Sequence, residues 1–385
     1  MLPLLVLACL TGAPGDCETV TAGTWPDEAT CQAAGRAYLP AAGVSKQAWT
    51  CGTDGFWLAE VAPGVYVHKG AQAEPGPGNG GDTANIGFVI GDDAIAVIDA
   101  GGSDAVAGAL LAGIRARSDL PVRWLVLTHM HPDHVMGAGM IAGQGAGVVA
   151  HPALAAGLAA RYAHYHAAYA RDIGPGWQAA EVPPEIRAAP DEIDLGNRVL
   201  ELRRHATGHT SNDLSVYDRR TGTWFLGDLV FLGHMPSIDG DLRGWQGAIA
   251  AAGERPADRV VPGHGPVAAP WPGAAGPTAA YLDALVAEVR AALDGGVALI
   301  DLLGAGPQAT ITAPDRQAGP GAGTGAGPDG DTGTGKEGAA EAGTHAGPEA
   351  SVAGQFDPAE PGAWLLSDTF HPRNLTSAYR ALEWE

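Results

Sequence analysis

Lysine is almost missing from this chain. Lys46, Lys69 and Lys336 are the only lysines in 385 residues, and arginine supplies the rest of the basic charge. With 22 basic against 43 acidic residues the formal net charge is −21. A phosphate backbone needs clustered Lys and Arg, so nucleic acid is excluded as the main partner. Cysteine is missing after Cys51, which excludes a cysteine nucleophile or a thiolate ligand from everything that follows. Long apolar runs are missing too: nothing reaches the roughly eighteen residues of a membrane span. The apolar opening MLPLLVLACL is short, and no Lys or Arg precedes Arg36, so it lacks the basic start of a secretory signal. It reads as a buried first strand or as a mis-called start codon, with a cleaved signal as the alternative.

What is present suits a folded chain of one large or two ordinary domains, with 46% apolar residues to build a core. The four cysteines, Cys9, Cys17, Cys31 and Cys51, crowd into residues 1–58. An even number in a short segment suggests two disulfides and an oxidising, extracytoplasmic compartment. No CxxC pair supports a four-cysteine zinc site. Losing Cys9 to cleavage would leave three cysteines, so a retained Cys9 and an intact start go together. In this region PDEATCQAAGRAY reads as a helix, with Asp27 as its N-cap.

From about residue 60, β-branched runs alternate with Ala/Leu-rich ones. NIGFVI (85–90), AIAVIDA (94–100), RWLVLTH (123–129) and GVVAH (147–151) read as strands. Residues 104–118 read as a helix with Val106, Leu110, Leu111 and Ile114 on one face, and 153–172 as a second helix. A second half repeats the theme, with strands at 198–205, 213–218, 223–228 and 259–265 and helices near 244–253 and 277–294. Two β-rich halves with helices outside predict an α/β architecture: a four-layer αββα sandwich over residues 59–303. Gly, Ala, Pro and Thr dominate residues 304–355, which contain no Phe, Trp or Tyr. Such a stretch buries too little surface to offset its ordering entropy, so it reads as a disordered insertion or, alternatively, an interaction arm. Residues 356–385 return to order. In NLTSAYRALEWE, Leu375, Tyr379 and Leu382 mark a helix starting near Asn374 or Thr376 that docks back on the main domain.

The densest chemistry lies in THMHPDH (128–134). His129 and His131 project from the end of a strand, and Asp133 and His134 follow on a turn that Pro132 helps to fix. Three further candidates also end apolar strands: His209 in ATGHTSND, Asp228 in WFLGDLVF and His264 in VVPGHGP. Each alone reads as a turn residue. Together they give seven ligands, too many for one zinc and right for two that share a carboxylate.

This ligand order, HxHxDH…H…D…H, resembles the metallo-β-lactamase fold hydrolases over about residues 60–303. AIAVIDAGG also looks like that superfamily's strand ending in an Asp, here Asp99, behind the site. The resemblance implies that His129, His131 and His209 hold one metal ion, and that Asp133, His134 and His264 hold another. Asp228 would bridge them. An Asp at the bridge looks more like glyoxalase II, lactonases and thioesterases than like true β-lactamases. NGGDTANIGFVIG, LTHMHPDHVMGA, GDLVFLGHMPSIDGDLRGW, the N-terminal cysteines and HPRNLTSAYRALEWE together look like the quinoprotein relay system zinc metallohydrolases, which are linked with PQQ-dependent periplasmic oxidation. The 304–355 stretch departs from that compact pattern.

The function so implied is a dinuclear zinc metallohydrolase cleaving an ester, thioester or lactone-like acyl bond of a small molecule. Bound zinc lowers the pKa of water from about 15.7 to about 7, so a metal-bridging hydroxide would attack the acyl carbonyl. Asp133 is both a ligand and the natural partner for the nucleophile's proton. His234, Asn85 with Asp82 beside it, and Arg243 are candidate substrate contacts. His164, His166 and His151 read as surface or strand-end residues. Two alternatives stay open: an iron-dependent, persulfide dioxygenase-like oxidoreductase on the same fold, and a periplasmic binding or delivery protein serving a quinoprotein partner.

Overall fold

A run buried at every position cannot be a surface strand. Ile95–Ile98 (the seventh strand along the chain) and Thr223–Phe231 (the fourteenth) are both of this kind, and each sits in the middle of a sheet. The computed structural model describes residues 2–304 and 364–383, apart from 11–12, 27, 40–41, 43, 52–55, 57 and 183–184. In chain order, β1 (Leu2–Leu10), β2 (Ala13–Trp25), α1 (Glu28–Ala37) and β3 (Val44–Cys51) come first. The strands form a small antiparallel sheet, β2-β1-β3, on which Leu4, Val6 and Cys31 are buried. The apolar opening is thus a strand. The side chains of Cys9, Cys17 and Cys51 lie outside the described residues, as does Asp27, and so do the expected disulfides and N-cap.

The first large sheet contains β4 (Ala59–Ala62), β5 (Val65–His68), β6 (Ile86–Ile90), β7 (Ile95–Ile98), β8 (Val122–Leu127), β9 (Gly147–Ala150) and β10 (Ile186–Ala188). Its order is β10-β9-β8-β7-β6-β5-β4, antiparallel from β4 to β7 and parallel from β7 to β10. The second contains β11 (Glu192–Asp194), β12 (Val199–Arg204), β13 (Leu214–Asp218), β14 (Thr223–Phe231), β15 (Arg259–His264) and β16 (Ala269–Pro270), in that order. Val67, Val89, Ile98 and Val126 of the first sheet meet Leu200, Val216, Phe225 and Val261 of the second in one buried cluster. The outer face of the first sheet is covered by α2 (Asp104–Arg115), α4 (Ala138–Ala142) and α5 (Leu154–Ile173), which follow or flank the short α3 (Pro132–Val135). The outer face of the second is covered by α6 (Leu242–Gly253), α7 (Ala275–Asp294), α8 (Leu299–Gly304) and α9 (Ser367–Leu382). The result is the four-layer helix–sheet–sheet–helix sandwich.

Helix α2 shows why the local sequence folds as it does. Ser103 caps it, its hydroxyl accepting from Val106 N at 3.3 Å, and Asp104 places a negative charge in the first turn. Val106, Ala107, Leu110 and Ile114 are buried at helical spacing, while Leu111 is only half-buried. The C-terminal helix differs from expectation. It starts at Ser367, one turn and more before Asn374, and runs through Pro372. Pro372 forfeits one backbone hydrogen bond, but burial of Leu375, Ala378 and Leu382 against α7 keeps the helix continuous. Apart from Gly304, residues 304–355 lie outside the described residues.

Arg198 ties the two sheets together at their edge. Its buried guanidinium reaches Asp218 beside it at 3.1 and 2.5 Å. It also donates to the carbonyls of Pro63 (3.0 Å) and Ile90 (2.8 Å) on the other sheet.

Candidate metal centre

The three strand ends β8, β14 and β15 converge at one edge of the sandwich. β8 ends at Leu127, and the chain stays extended through His131 before Pro132 opens α3. His129 and His131 therefore leave the extended segment, while Asp133 and His134 sit on the first turn of the helix. Asp99, at the end of β7, fixes this loop from behind. Its carboxylate accepts from Thr128 N (2.7 Å), Thr128 Oγ1 (2.8 Å) and His134 Nδ1 (2.8 Å). His209 comes from the β12–β13 connection, Asp228 from within β14 and His264 from the end of β15.

Two glycines make room around Asp228. Gly227 takes a left-handed φ of 53°, and a Cβ there would meet Thr128 Oγ1 at 2.9 Å. A Cβ on Gly263 would collide with Asp228 Oδ1 itself.

The seven side chains form two adjoining groups. Ligand atoms of His129, His131, His209 and Asp228 all lie within 4.8 Å of one another, and so do those of Asp133, His134 and His264. Asp228 touches both. Its Oδ2 is 3.3 Å from His209 Nε2 and 3.5 Å from both His129 Nε2 and His264 Nε2, and its Oδ1 is 3.2 Å from His134 Nε2. Asp133 Oδ2 is 3.3 Å from His264 Nε2.

The outward nitrogens are already in use. His129 Nδ1 donates to Thr128 Oγ1 (3.0 Å), His134 Nδ1 to Asp99, His209 Nδ1 to the Ser237 carbonyl (2.7 Å) and His131 Nε2 to Asp239 Oδ2 (3.2 Å). Each such bond leaves a lone pair on the inward nitrogen, the form a metal ligand requires. His264 is held differently. Its ring stacks between Phe231 (5.1 Å) and His234 (4.7 Å), and its Nδ1 has no hydrogen-bond partner among the described residues. The inward atoms His129 Nε2, His134 Nε2 and Asp228 Oδ1 are also buried without a hydrogen-bond partner. Each such orphan costs about 1–3 kcal/mol unless something satisfies it. Imidazole and carboxylate are zinc donors, so the set fits a divalent cation.

The electrostatics agree. Burial lowers the pKa of His129 well below its ordinary value, with His134 adding to it, and burial lowers His131 too. Both are neutral at pH 7. Burial opposes the charge on Asp228 and Asp133, but His264 and His134 outweigh it and keep both ionised. Burial also lowers His134 and His264, but Asp228 reverses this and raises both, His264 to about 9. The cluster attracts positive charge, whether as protons or as a metal.

A cavity of about 250 Å³ opens onto this cluster. Asp133, Asp228, His131 and His264 line it, along with Thr83, Tyr169, Phe231 and the C-terminal residues Leu366, Phe370 and Arg373. His234 lines it as well, and burial lowers its pKa to about 4. Asn85 does not line it. Its amide is spent in bracing the β15 turn, donating to Pro262 O (2.9 Å) and Pro266 O (3.1 Å) and accepting from Gly70 N (3.3 Å). Asp82 instead accepts from His68 at 2.8 Å. Arg243 lies exposed on α6 and donates to Gln246 Oε1 at 3.2 Å, away from the cavity lining. His164 and His166 are exposed on α5, and His151 accepts from Ala153 N at the end of β9.

Sequence reasoning passed over Asp239, Ser237, Arg161, Thr83, Tyr169 and Arg373. Thr83 donates to Asp133 Oδ2 at 3.2 Å, and Arg161 bonds Asp239. Asp239 stands in SIDGD, where the Asp-Gly pair signals only a turn. Only the fold brings that turn over His131.

Residues 79–264 match the family described as the metallo-beta-lactamase superfamily. Among curated proteins, the acyl-coenzyme A thioesterase MBLAC2 of Gallus gallus is 33% identical over 174 residues, which are 40% of this chain and 60% of that protein. The chain thus spans less than two thirds of the curated relative it matches. Among solved structures, a metallo-beta-lactamase from Pontibacter korlensis is 23% identical, covering 60% of this chain and 99% of that one at a TM-score of 0.46. TMB-1 is 19% identical, covering 60% and 98% at the same TM-score of 0.46.

Proposed function

Because residues 79–264 are a metallo-beta-lactamase superfamily domain, we propose that the chain is a metal-dependent hydrolase of thioester-like acyl bonds in small molecules. The observation that carries this is the buried ring of His129 Nε2, His134 Nε2 and Asp228 Oδ1. These atoms have no hydrogen-bond partner among the described residues, while the opposite nitrogens of both histidines are engaged. His129, His131 and His209 would hold one zinc ion, Asp133, His134 and His264 would hold a second, and Asp228 lies where it could serve both. Zinc, when bound, acidifies water to a pKa of about 7 and polarises an acyl carbonyl.

The chain's own residues do the rest. Asp133, steadied by Thr83, presents Oδ2 to the cavity as an acceptor for the proton of an attacking water. Tyr169 lines the cavity, and burial pushes its phenol well up, so it stays a protonated donor at neutral pH. Phe231, Leu366 and Phe370 give an apolar wall for the acyl arm. About 250 Å³ is smaller than the sites that enclose drug-sized ligands, which favours a short acyl arm with the thiol lying outside. The thioesterase activity named for the curated relative supports the choice of bond.

The proposal also includes zinc in preference to iron, an extracytoplasmic setting and a link to a quinoprotein oxidation system, all of which rest on the motif resemblance. A panel of one thioester, one lactone and one β-lactam, each with and without EDTA, tests the activity. Cleavage of the thioester that EDTA abolishes and Zn²⁺ restores is the expected result. Undiminished cleavage by metal-free protein would sink the proposal. Metal analysis of the isolated protein separates zinc from iron.

A further inference from the structure

The wall of the cavity is completed by a segment remote in sequence. The chain re-enters at Trp364, and Leu365 pairs with the loop after β14: Met235 N donates to Leu365 O and Leu365 N to Gly233 O, both at 2.9 Å. About two turns into α9, Asn374 clamps the same loop. It accepts from Ile238 N (3.0 Å) and donates to Pro236 O (2.6 Å) and to Tyr281 Oη (2.9 Å). That loop also carries His234 and the Ser237 carbonyl that orients His209. The position of α9 is therefore fixed relative to the metal ligands.

Beside Asn374 stands Arg373, the only arginine or lysine lining the cavity among the described residues. Its guanidinium lies 5.5 Å from the Phe370 ring centroid, Phe370 lies 5.3 Å from His234, and His234 stacks on His264 at 4.7 Å. A ladder of rings thus leads from a fixed cation to a metal ligand. Glu74, on the cavity lining, is the carboxylate whose charge acts on Arg373. In a chain of net charge −21, Arg373 is the permanent cation among the described residues of this lining that can draw an anion in.

We propose that Arg373 is a specificity-determining residue that receives an anionic group, carboxylate or phosphate, of the substrate while the acyl carbonyl reaches the metal ligands. This rests on the hydrolase reading and narrows it to anionic acyl substrates. The anion can lie at the far end of the acyl arm, as in a succinyl thioester, or on the departing thiol, as in coenzyme A. Glu74 lies on the same lining, and Arg373 eases the burial of its carboxylate through charge alone.

The test uses the zinc-loaded full chain and four thioesters: butyryl and succinyl groups, each on a small neutral thiol and on coenzyme A. Wild type should favour the anionic members. Arg373→Ala should lower the anionic-to-neutral ratio of kcat/KM about tenfold or more, the order expected for a lost charge-assisted contact. Arg373→Lys should recover part of it, and Glu74→Gln should raise the ratio. A fall in the succinyl-to-butyryl ratio places the anion on the acyl arm, and a fall only in the coenzyme A ratio places it on the thiol. Equal losses for all four substrates, or ratios that do not move in either Arg373 variant, would overturn the proposal. If wild type itself cleaves none of the four, the hydrolase reading has failed instead.

Discussion

Asp239 decides where a ligand nitrogen points without touching the metal position. It accepts from His131 Nε2 and is itself held by Arg161; burial opposes its charge, but these two hydrogen bonds outweigh it and hold its pKa down to about 2. Such outer partners set ring tautomer and orientation, and their loss weakens metal binding about 10–100-fold. Asp239→Asn should show a loss of that size in zinc competition against a chromophoric chelator, and unchanged affinity would remove its orienting role. His205 makes a different prediction. It is buried at the start of the β12–β13 connection, bonded to Ser215 Oγ at 2.8 Å, and burial lowers its pKa to about 4. An unfolded histidine titrates near 6.5. Between pH 6.5 and 4 the unfolded chain therefore binds the extra proton, so the His205 contribution is complete above pH 6.5 and lost as pH falls to 4. That amounts to about 3 kcal/mol. Chemical denaturation of His205→Asn should show a shallower stability loss across this window than wild type. Parallel curves would contradict the assignment.

Helix α9 shows what an element adds. Asn374→Ala would leave Ile238 N–H and Pro236 O without their partner, at about 1–3 kcal/mol for each buried group left unsatisfied, while Tyr281 Oη keeps its bond to His371. Both the melting temperature and kcat/KM should fall, because the loop that orients His209 loses its clamp. A variant with wild-type values in both would show that α9 does not brace the site. The helix also marks where reading the chain stops working. Its apolar spacing at Leu375, Tyr379 and Leu382 is legible, but its true start before Pro372 is not, since proline signals a boundary and only packing on α7 overrides it. The candidate metal ligands are legible for the opposite reason. Four of them stand within THMHPDH, and the others follow, lie within or end an apolar strand, so chemistry and periodicity coincide. Asp239 and Arg373 lie in a turn and on a helix with nothing local to distinguish them. Asn85 reads as a candidate substrate contact in NGGDTAN, yet its amide is bonded to backbone.

At the scale of the molecule, the site belongs to neither half. His129, His131, Asp133 and His134 come from the first sheet's edge, and His209, Asp228 and His264 from the second. Arg198 joins the sheets structurally, and a metal held across them would join them again. Ions that bind only the folded arrangement stabilise it by mass action, so chelation should cost stability as well as activity. The most direct test of the whole account is a zinc titration of chelator-stripped protein, followed by thioester hydrolysis. The account predicts no cleavage at the start and a rate that saturates at two ions per chain, one for each ligand group. Full cleavage by the stripped protein, before any zinc is added, would contradict it.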